Sequence, residues 1–304
     1  MPSLSVGLVF AVSSILSGSW FTRIPEIQNK LGLSEGTLGL ALLGTSIGGL
    51  LMMPFTPWLM KRFSTGRITL IASLMYCVAA VLPVFAVNYW TLFSALLLLG
   101  LASGGMNVAM NAGAVAIERS YRISIMSVCH GMYSLGGMLG AGLSSVIAGL
   151  GVTPEVHLTS MALLMIVLNF AIRSDLMDMP DSDSGGATFS LPKGPLLGMA
   201  FISFCVFLCE GAVADWSAVY LLNTLDGSPF VAGLGYAGFA LMMTLGRFQG
   251  DSIVAFFGAK RLLQFGALLG AIGVGMTVLI PIPEVAILCF TLLGLGLSSL
   301  VLII

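Results

Sequence analysis

The sequence predicts an all-α membrane protein, and three observations predict it. Charged residues make up 8% of the 304 residues, apolar residues 58%, and mean hydropathy is +1.05. Ordinary globular chains carry roughly 25% charge, so a chain of this length has too little to cover a water-facing surface. Apolar runs long enough to cross roughly 30 Å of hydrocarbon recur along the whole chain. These runs are too long and too uniform for the alternation of a membrane barrel. The net charge of −1 argues against a nucleic-acid partner, which needs a basic face. High hydropathy excludes intrinsic disorder.

Ten spans are predicted, near 4–22, 36–60, 68–87, 90–117, 123–149, 155–172, 195–222, 229–256, 262–281 and 283–304. The first is not a cleavable signal peptide, because it lacks a basic start and a small-residue cleavage site. The links are short except residues 173–194, a polar stretch with Pro, Ser, Gly and four Asp, the composition of a linker. The predicted organisation is thus a six-helix half over 1–172, a linker over 173–194, and a second half over 195–304. The chain reaches Ile304 still inside span ten, so the last two spans of a second six-helix half are expected to be missing.

Lys and Arg set the orientation. Lys61, Arg62, Arg67, Arg119, Arg122, Arg173, Lys193, Lys260 and Arg261 occupy the even links, and only Arg23 and Lys30 the odd ones. This asymmetry predicts a cytoplasmic N-terminus and a cytoplasmic linker. Arg23, just outside span one, reads as an interfacial anchor, with substrate contact the other reading.

Sliding the sequence against itself by 194 residues exposes a repeat. Ser34, Gly39, Leu40 and Gly44 fall on Ser228, Gly233, Leu234 and Gly238; Arg67 falls on Arg261, Leu74 on Leu268, and 98–101 on 292–295. Two halves of the same orientation can rock about a site between them, the alternating-access arrangement of one transporter class.

Ionisable side chains inside spans are expensive and face a cavity or a partner. Glu210 and Asp215 in span seven are therefore candidates for proton coupling, or else pack by pairing with a neighbouring helix. At about 100° per residue they point well apart, so they are not a proton-sharing dyad. His130 in span five is a third candidate, since imidazole titrates near neutrality; the alternative is a satisfied structural histidine. Asn107 and Asn111 share a helix face and either bind a polar solute or bridge helices. Trp20 and Trp216 complete the expected cavity lining. Arg247 with Asp251, and Glu118 with Arg122, are spaced for ion pairs within or beside one helix. With Arg62 and Arg67 they are assigned to a cytoplasmic gate. Span five carries two strips of small residues: Gly136, Gly140, Ser144 and Ala148, then Gly137, Ala141, Ser145 and Gly149. Such strips let backbones approach closely, and two of them suit a helix enclosed on both sides.

Cys77, Cys129, Cys205, Cys209 and Cys289 all sit in apolar runs and read as small packing residues. No metal, cofactor or enzymatic site is legible: no Walker loop, no zincin motif and no nucleophile elbow occurs.

Four motifs carry a resemblance: Trp20-Phe21-Thr22-Arg23-Ile24-Pro25, His130-Gly131-Met132-Tyr133-Ser134-Leu135-Gly136, Glu210-Gly211-Ala212-Val213-Ala214-Asp215-Trp216, and Gly246-Arg247-Phe248-Gln249-Gly250-Asp251. With them the chain resembles a major facilitator superfamily (MFS) transporter. It is most similar to the bacterial inner-membrane branch of the YbjJ type and more distantly similar to fucose permease. The superfamily's loop motif Gly-x3-Asp-Arg-x-Gly-x-Arg is only partly present. Arg62 and the later Arg67 remain, while Pro57, Lys61 and Ser64 replace Gly, Asp and Gly. The resemblance implies the MFS fold, two six-helix pseudo-repeats, a multi-pass place in the inner membrane and a monomer. The expected function is secondary active transport of a small solute by alternating access, coupled to protons. A passive facilitator of the same fold and a non-transporting sensor or remnant are the alternatives.

Overall fold

The computed structural model describes residues 2–182 and 193–301; it is helical, with no strand among the described residues. The helices are α1 (Pro2–Phe21), α2 (Ile24–Leu31), α3 (Glu35–Met52), α4 (Thr56–Phe63), α5 (Thr65–Ala79), α6 (Tyr89–Tyr121), α7 (Met126–Gly149), α8 (Pro154–Ala171), α9 (Arg173–Met177), α10 (Pro195–Val219), α11 (Pro229–Phe257), α12 (Ala259–Leu279) and α13 (Pro283–Val301). Among the described residues nine helices are long and apolar enough to cross a membrane. The tenth expected span is α13, whose apolar stretch Pro283–Ser298 is shorter.

The continuous span expected over 36–60 is broken instead. α3 ends at Met52 and α4 begins at Thr56. Pro54 lies in the break; it has no N–H to donate, and its ring crowds the preceding turn. Likewise the span expected over 68–87 is α5 followed by a 3₁₀ turn, Leu82–Phe85, around Pro83.

The small helices α2 and α4 mark the two ends of the bundle. In one group α1 packs along α7, α3 along α6, and α5 between α6 and α8. In the other, α11 and α12 flank α13, and α10 leans on α11. The groups meet chiefly where α7 runs along α11.

The 194-residue repeat has a structural counterpart. Ser34 caps α3 by accepting from Thr37 N, and Ser228 caps α11 by accepting from Val231 N, both at 3.3 Å. A methyl on Gly100 would strike the Thr45 carbonyl, and one on Gly294 the Phe239 carbonyl. Thr45 and Phe239 are themselves 194 positions apart. Asn29 and Asn223 share the same offset, and Asn29 Nδ2 donates to Asn223 Oδ1 at 3.2 Å.

The two glycine strips of α7 serve two different neighbours. Gly136 and Gly140 lie against backbone of α1, at Ala11 and Ile15, and Thr22 donates to Ser144 Oγ at 2.5 Å. Gly137 and Gly149 instead face side chains of α11, Tyr236 and Phe230, and Ser145 faces Gly233. The α1 seam is backbone on backbone, whereas the α11 seam is glycine against side chain.

The α4 end is tied by carboxylates. Glu118 Oε1 accepts from the backbone N–H of Ile125 and of Met126, at 2.7 and 2.8 Å. A carboxylate there satisfies otherwise orphaned donors and suits the positive end of α7. Glu118→Ala should lower stability by ~1–2 kcal/mol, read as an earlier thermal transition in detergent. Glu118→Gln, which keeps an acceptor oxygen, should lose less. Beyond α9, Asp181 Oδ1 accepts from Thr65 N at 2.8 Å, so the start of the linker is fastened to the head of α5.

Candidate functional site

Two connected chambers lie between the groups. The larger, about 680 Å³, is bounded by α1, α3, α5, α6, α7 and α10. The smaller, about 360 Å³, is bounded by α1, α6, α7, α10 and α11. Phe21, Asn107, Tyr133 and Phe207 line both.

The helices carry the lining because their small residues bring them close. The glycine contacts of α7 hold α1 on one side and α11 on the other, so Tyr133 and His130 of α7 project beside Arg247 of α11 and Glu210 of α10. At the α2 end the groups are joined: Asn223 Nδ2 donates to Gln28 Oε1 at 2.9 Å, beside the Asn29 bond. The chambers are therefore closed at the α2 end.

Arg247 is the buried cation of the smaller chamber. It is 6% exposed, its Nη1 donates to Ser134 Oγ of α7, and its Nη2 stands 3.6 Å from Glu210 Oε1. Its Nε is buried without a hydrogen-bond partner. Glu210, 21% exposed, is beyond direct hydrogen-bond distance, so its hold on the guanidinium is coulombic. The spacing of Arg247 and Asp251 suggests a pair along one helix; the guanidinium instead reaches across to α10 and α7. The side chain of Asp251 lies outside the described residues.

The other expected residues fall as follows. His130 lines the smaller chamber, with its ring edge-on to Phe10 at 5.6 Å. Asn111 Nδ2 donates to Asn107 Oδ1 at 3.0 Å and to the Asn107 carbonyl at 2.9 Å; both asparagines line the chamber. Trp20 and Asp215 line the larger chamber. Asp215 has no hydrogen bond or ion pair among the described residues. Trp216 lies against α3, where its ring fills the space beside Gly39. Arg62 stacks over Trp58 and Phe63 at 5.9 and 5.7 Å, and Arg67 and Arg122 are exposed at the α4 end. Glu118 spends its carboxylate on the cap of α7 rather than on Arg122.

Arg23 corrects one expectation. It is no interfacial anchor: it is 1% exposed, its Nε donates to His157 Nδ1 at 3.3 Å, and its Nη1 pairs with Glu26 at 2.5 Å. Glu26 of α2 and His157 of α8 enclose it. Tyr76, Tyr133, Tyr236 and Ser134 also belong to the site, lining the chambers or holding Arg247. An aromatic or hydroxyl in an apolar run looks like filler until its neighbouring helix is known.

Apolar helices in two groups around a mainly apolar cavity that holds a few ionisable and amide side chains are the architecture of a membrane transporter. Residues 4–304 match the family described as Major Facilitator Superfamily. The chain belongs to that superfamily, whose members sit in membranes and carry small solutes. It is 36% identical over 298 residues to an uncharacterized MFS-type transporter of Yersinia pestis, covering 98% of this chain and 78% of the relative. It is 30% identical to the membrane protein MosC of Rhizobium meliloti, covering 98% and 73%. Among solved structures it is similar to the nucleoside transporter NupG (TM-score 0.70, 12% identity, covering 99% and 80%). It is also similar to a D-xylose-proton symporter (TM-score 0.67, 16% identity, covering 97% and 80%). At these identities the structural likeness speaks for the fold alone.

Proposed function

We propose that this chain is a proton-coupled secondary active transporter of a small solute, working as a monomer in the bacterial inner membrane. Its halves, 1–172 and 195–304, rock about the chambers while the 173–194 linker stays cytoplasmic, as does the N-terminus. The observation that carries this reading is the Glu210–Arg247 pair, which spans two helices inside the cavity. A carboxylate held at 3.6 Å by charge alone, with no hydrogen bond to the guanidinium, can exchange that partner for a proton, and the buried guanidinium left behind then favours a different packing. Protonation of Glu210 removes the attraction between α10 and α11, and the guanidinium keeps only Ser134 on α7. The balance between α10–α11 and α7–α11 contacts thus depends on whether the proton is bound. Population of the two states follows that difference. His130 beside the pair is the nearest relay, and Asp215 the second acid.

The α7–α11 seam supports the rocking itself. Rings of Tyr236 and Phe248 resting on Gly137 and Gly131 can slide without breaking backbone packing. With positive links inside, Asn29, Asn223 and Gln28 close the outer end.

Reconstituted vesicles with a pH dye inside test this. A panel of small solutes is added outside, and proton movement is followed. Wild type is expected to give a solute-dependent signal that Glu210→Gln abolishes. Solute moving downhill with no proton signal would overturn coupling and leave a passive facilitator.

A further inference from the structure

We infer that the larger chamber binds a small hydroxylated amine, with its ammonium group on Asp215; the inference deepens the transporter reading above and rests on it. It starts from the charges that line the chambers. Arg247 and Glu210 answer each other. Asp215 has no cation near enough to pair and no hydrogen bond among the described residues, yet it lines a cavity of about 680 Å³ between apolar helices. A carboxylate left unpaired at this depth is costly, and either a proton or a cation from outside relieves it.

The hydroxyls of the same chamber point to the same partner. Ser13 Oγ donates to the Phe10 carbonyl at 2.8 Å, and Ser103 Oγ to the Gly100 carbonyl at 3.1 Å. Ser17 Oγ donates to the Ser13 carbonyl at 3.1 Å. Its 2.6 Å contact with Tyr76 Oη therefore has the tyrosine donating. A hydroxyl has one proton and two lone pairs. With those protons spent on the helices' own carbonyls, what these groups offer the cavity is oxygen lone pairs. These lone pairs stand around one unpaired carboxylate, while the Asn107 amide, whose Oδ1 already accepts from Asn111, adds N–H donors; the chamber suits a solute that carries a positive charge together with hydroxyls. An ammonium supplies three N–H groups and the missing charge, and alcohol O–H groups suit the remaining lone pairs. Trp20, Phe21, Tyr133 and Phe207 add aromatic surfaces, which favour cations. A carboxylate solute would meet the like charge of Asp215, and the guanidinium of Arg247 lines the smaller chamber, paired with Glu210.

The test is ligand binding to the purified full chain in detergent, read by thermal shift and titration calorimetry. The probes are serinol and D-glucosamine, their neutral counterparts glycerol and D-glucose, and the acids D-glycerate and D-gluconate. The amines are expected to stabilise the protein and the alcohols and acids to do so far less. Asp215→Asn should weaken amine binding by about 30-fold, while Asp215→Glu keeps the preference. If Asp215→Asn does not fold, the comparison of glucosamine with glucose on wild type still decides. Equal or stronger binding of a polyol or an acid, or no shift with either amine, overturns the assignment. Binding needs no transport, so the two readings fail separately. Amine binding without proton movement in vesicles would keep this site and overturn coupling. Proton movement driven by a neutral polyol or an acid would keep coupling and overturn this site.

Discussion

A Glu210→Gln protein is expected to lose solute-driven proton movement and to unfold at a lower temperature than an Arg247→Met protein. The asymmetry follows from chemistry. Without Glu210, the guanidinium of Arg247 is left 6% exposed with Ser134 as its one remaining partner, and it cannot shed its charge. Without Arg247, Glu210 can take up a proton and become neutral. Breaking a buried pair from one side costs about 3–5 kcal/mol; the 3.6 Å separation and the partial exposure of Glu210 put this pair at the low end. The double variant Glu210→Gln/Arg247→Met removes both charges. It should recover most of the lost stability and none of the coupling. Thermal unfolding of the three proteins, run beside the vesicle assay, checks this. A double variant no more stable than Glu210→Gln alone would mean that the two side chains do not act as a pair.

The second large effect is expected at Gly140. A methyl there would be driven into the Ile15 carbonyl, with backbone on both sides and no side chain able to give way. α1 and α7 would have to separate along a seam that also holds the Thr22–Ser144 bond. Gly140→Ala should therefore cost about 3 kcal/mol or more, seen as loss of monodisperse protein on size exclusion. Gly142, two residues on, faces open space. Gly142→Ala should be neutral or slightly stabilising, because Ala favours helix over Gly. Gly137→Ala is the informative middle case. Its methyl would come within 3.2 Å of the Tyr236 hydroxyl, the movable end of a side chain. That protein should fold at nearly the wild-type transition temperature but transport more slowly, because the seam it roughens is the one between the halves.

These two sets of residues differ in how far they were legible in the sequence. The small-residue strips of α7 are written at every fourth position, and their two-sided use follows from helix geometry. The repeat was legible for the same reason: Ser34 and Ser228 cap in the same way because capping is local. The partner of Arg247 was not legible. Its spacing to Asp251 is a true helical neighbour relation, but Glu210 lies 37 positions earlier and meets it only because α10 and α11 pack together. Arg23 misled for a similar reason, since a cation just past a span usually stays in the interface. Here α2 and His157 of α8 enclose it. Local periodicity carries elements and faces; which face meets which is decided by the assembly of the bundle.

The bond between Asn29 and Asn223 bears on how such a chain could arise. Parallel repeats are related by an axis along the membrane normal, and a residue beside that axis meets its own equivalent. It must then complement itself, as in the isologous contact of a homodimer. A primary amide can, being donor and acceptor at once, whereas a lysine or an aspartate would meet its own charge. The hydrogen bond of Asn29 to Asn223 is thus the kind of contact that two copies of one shorter membrane protein would make with each other. A duplication that fused them end to end would inherit it without a new mutation.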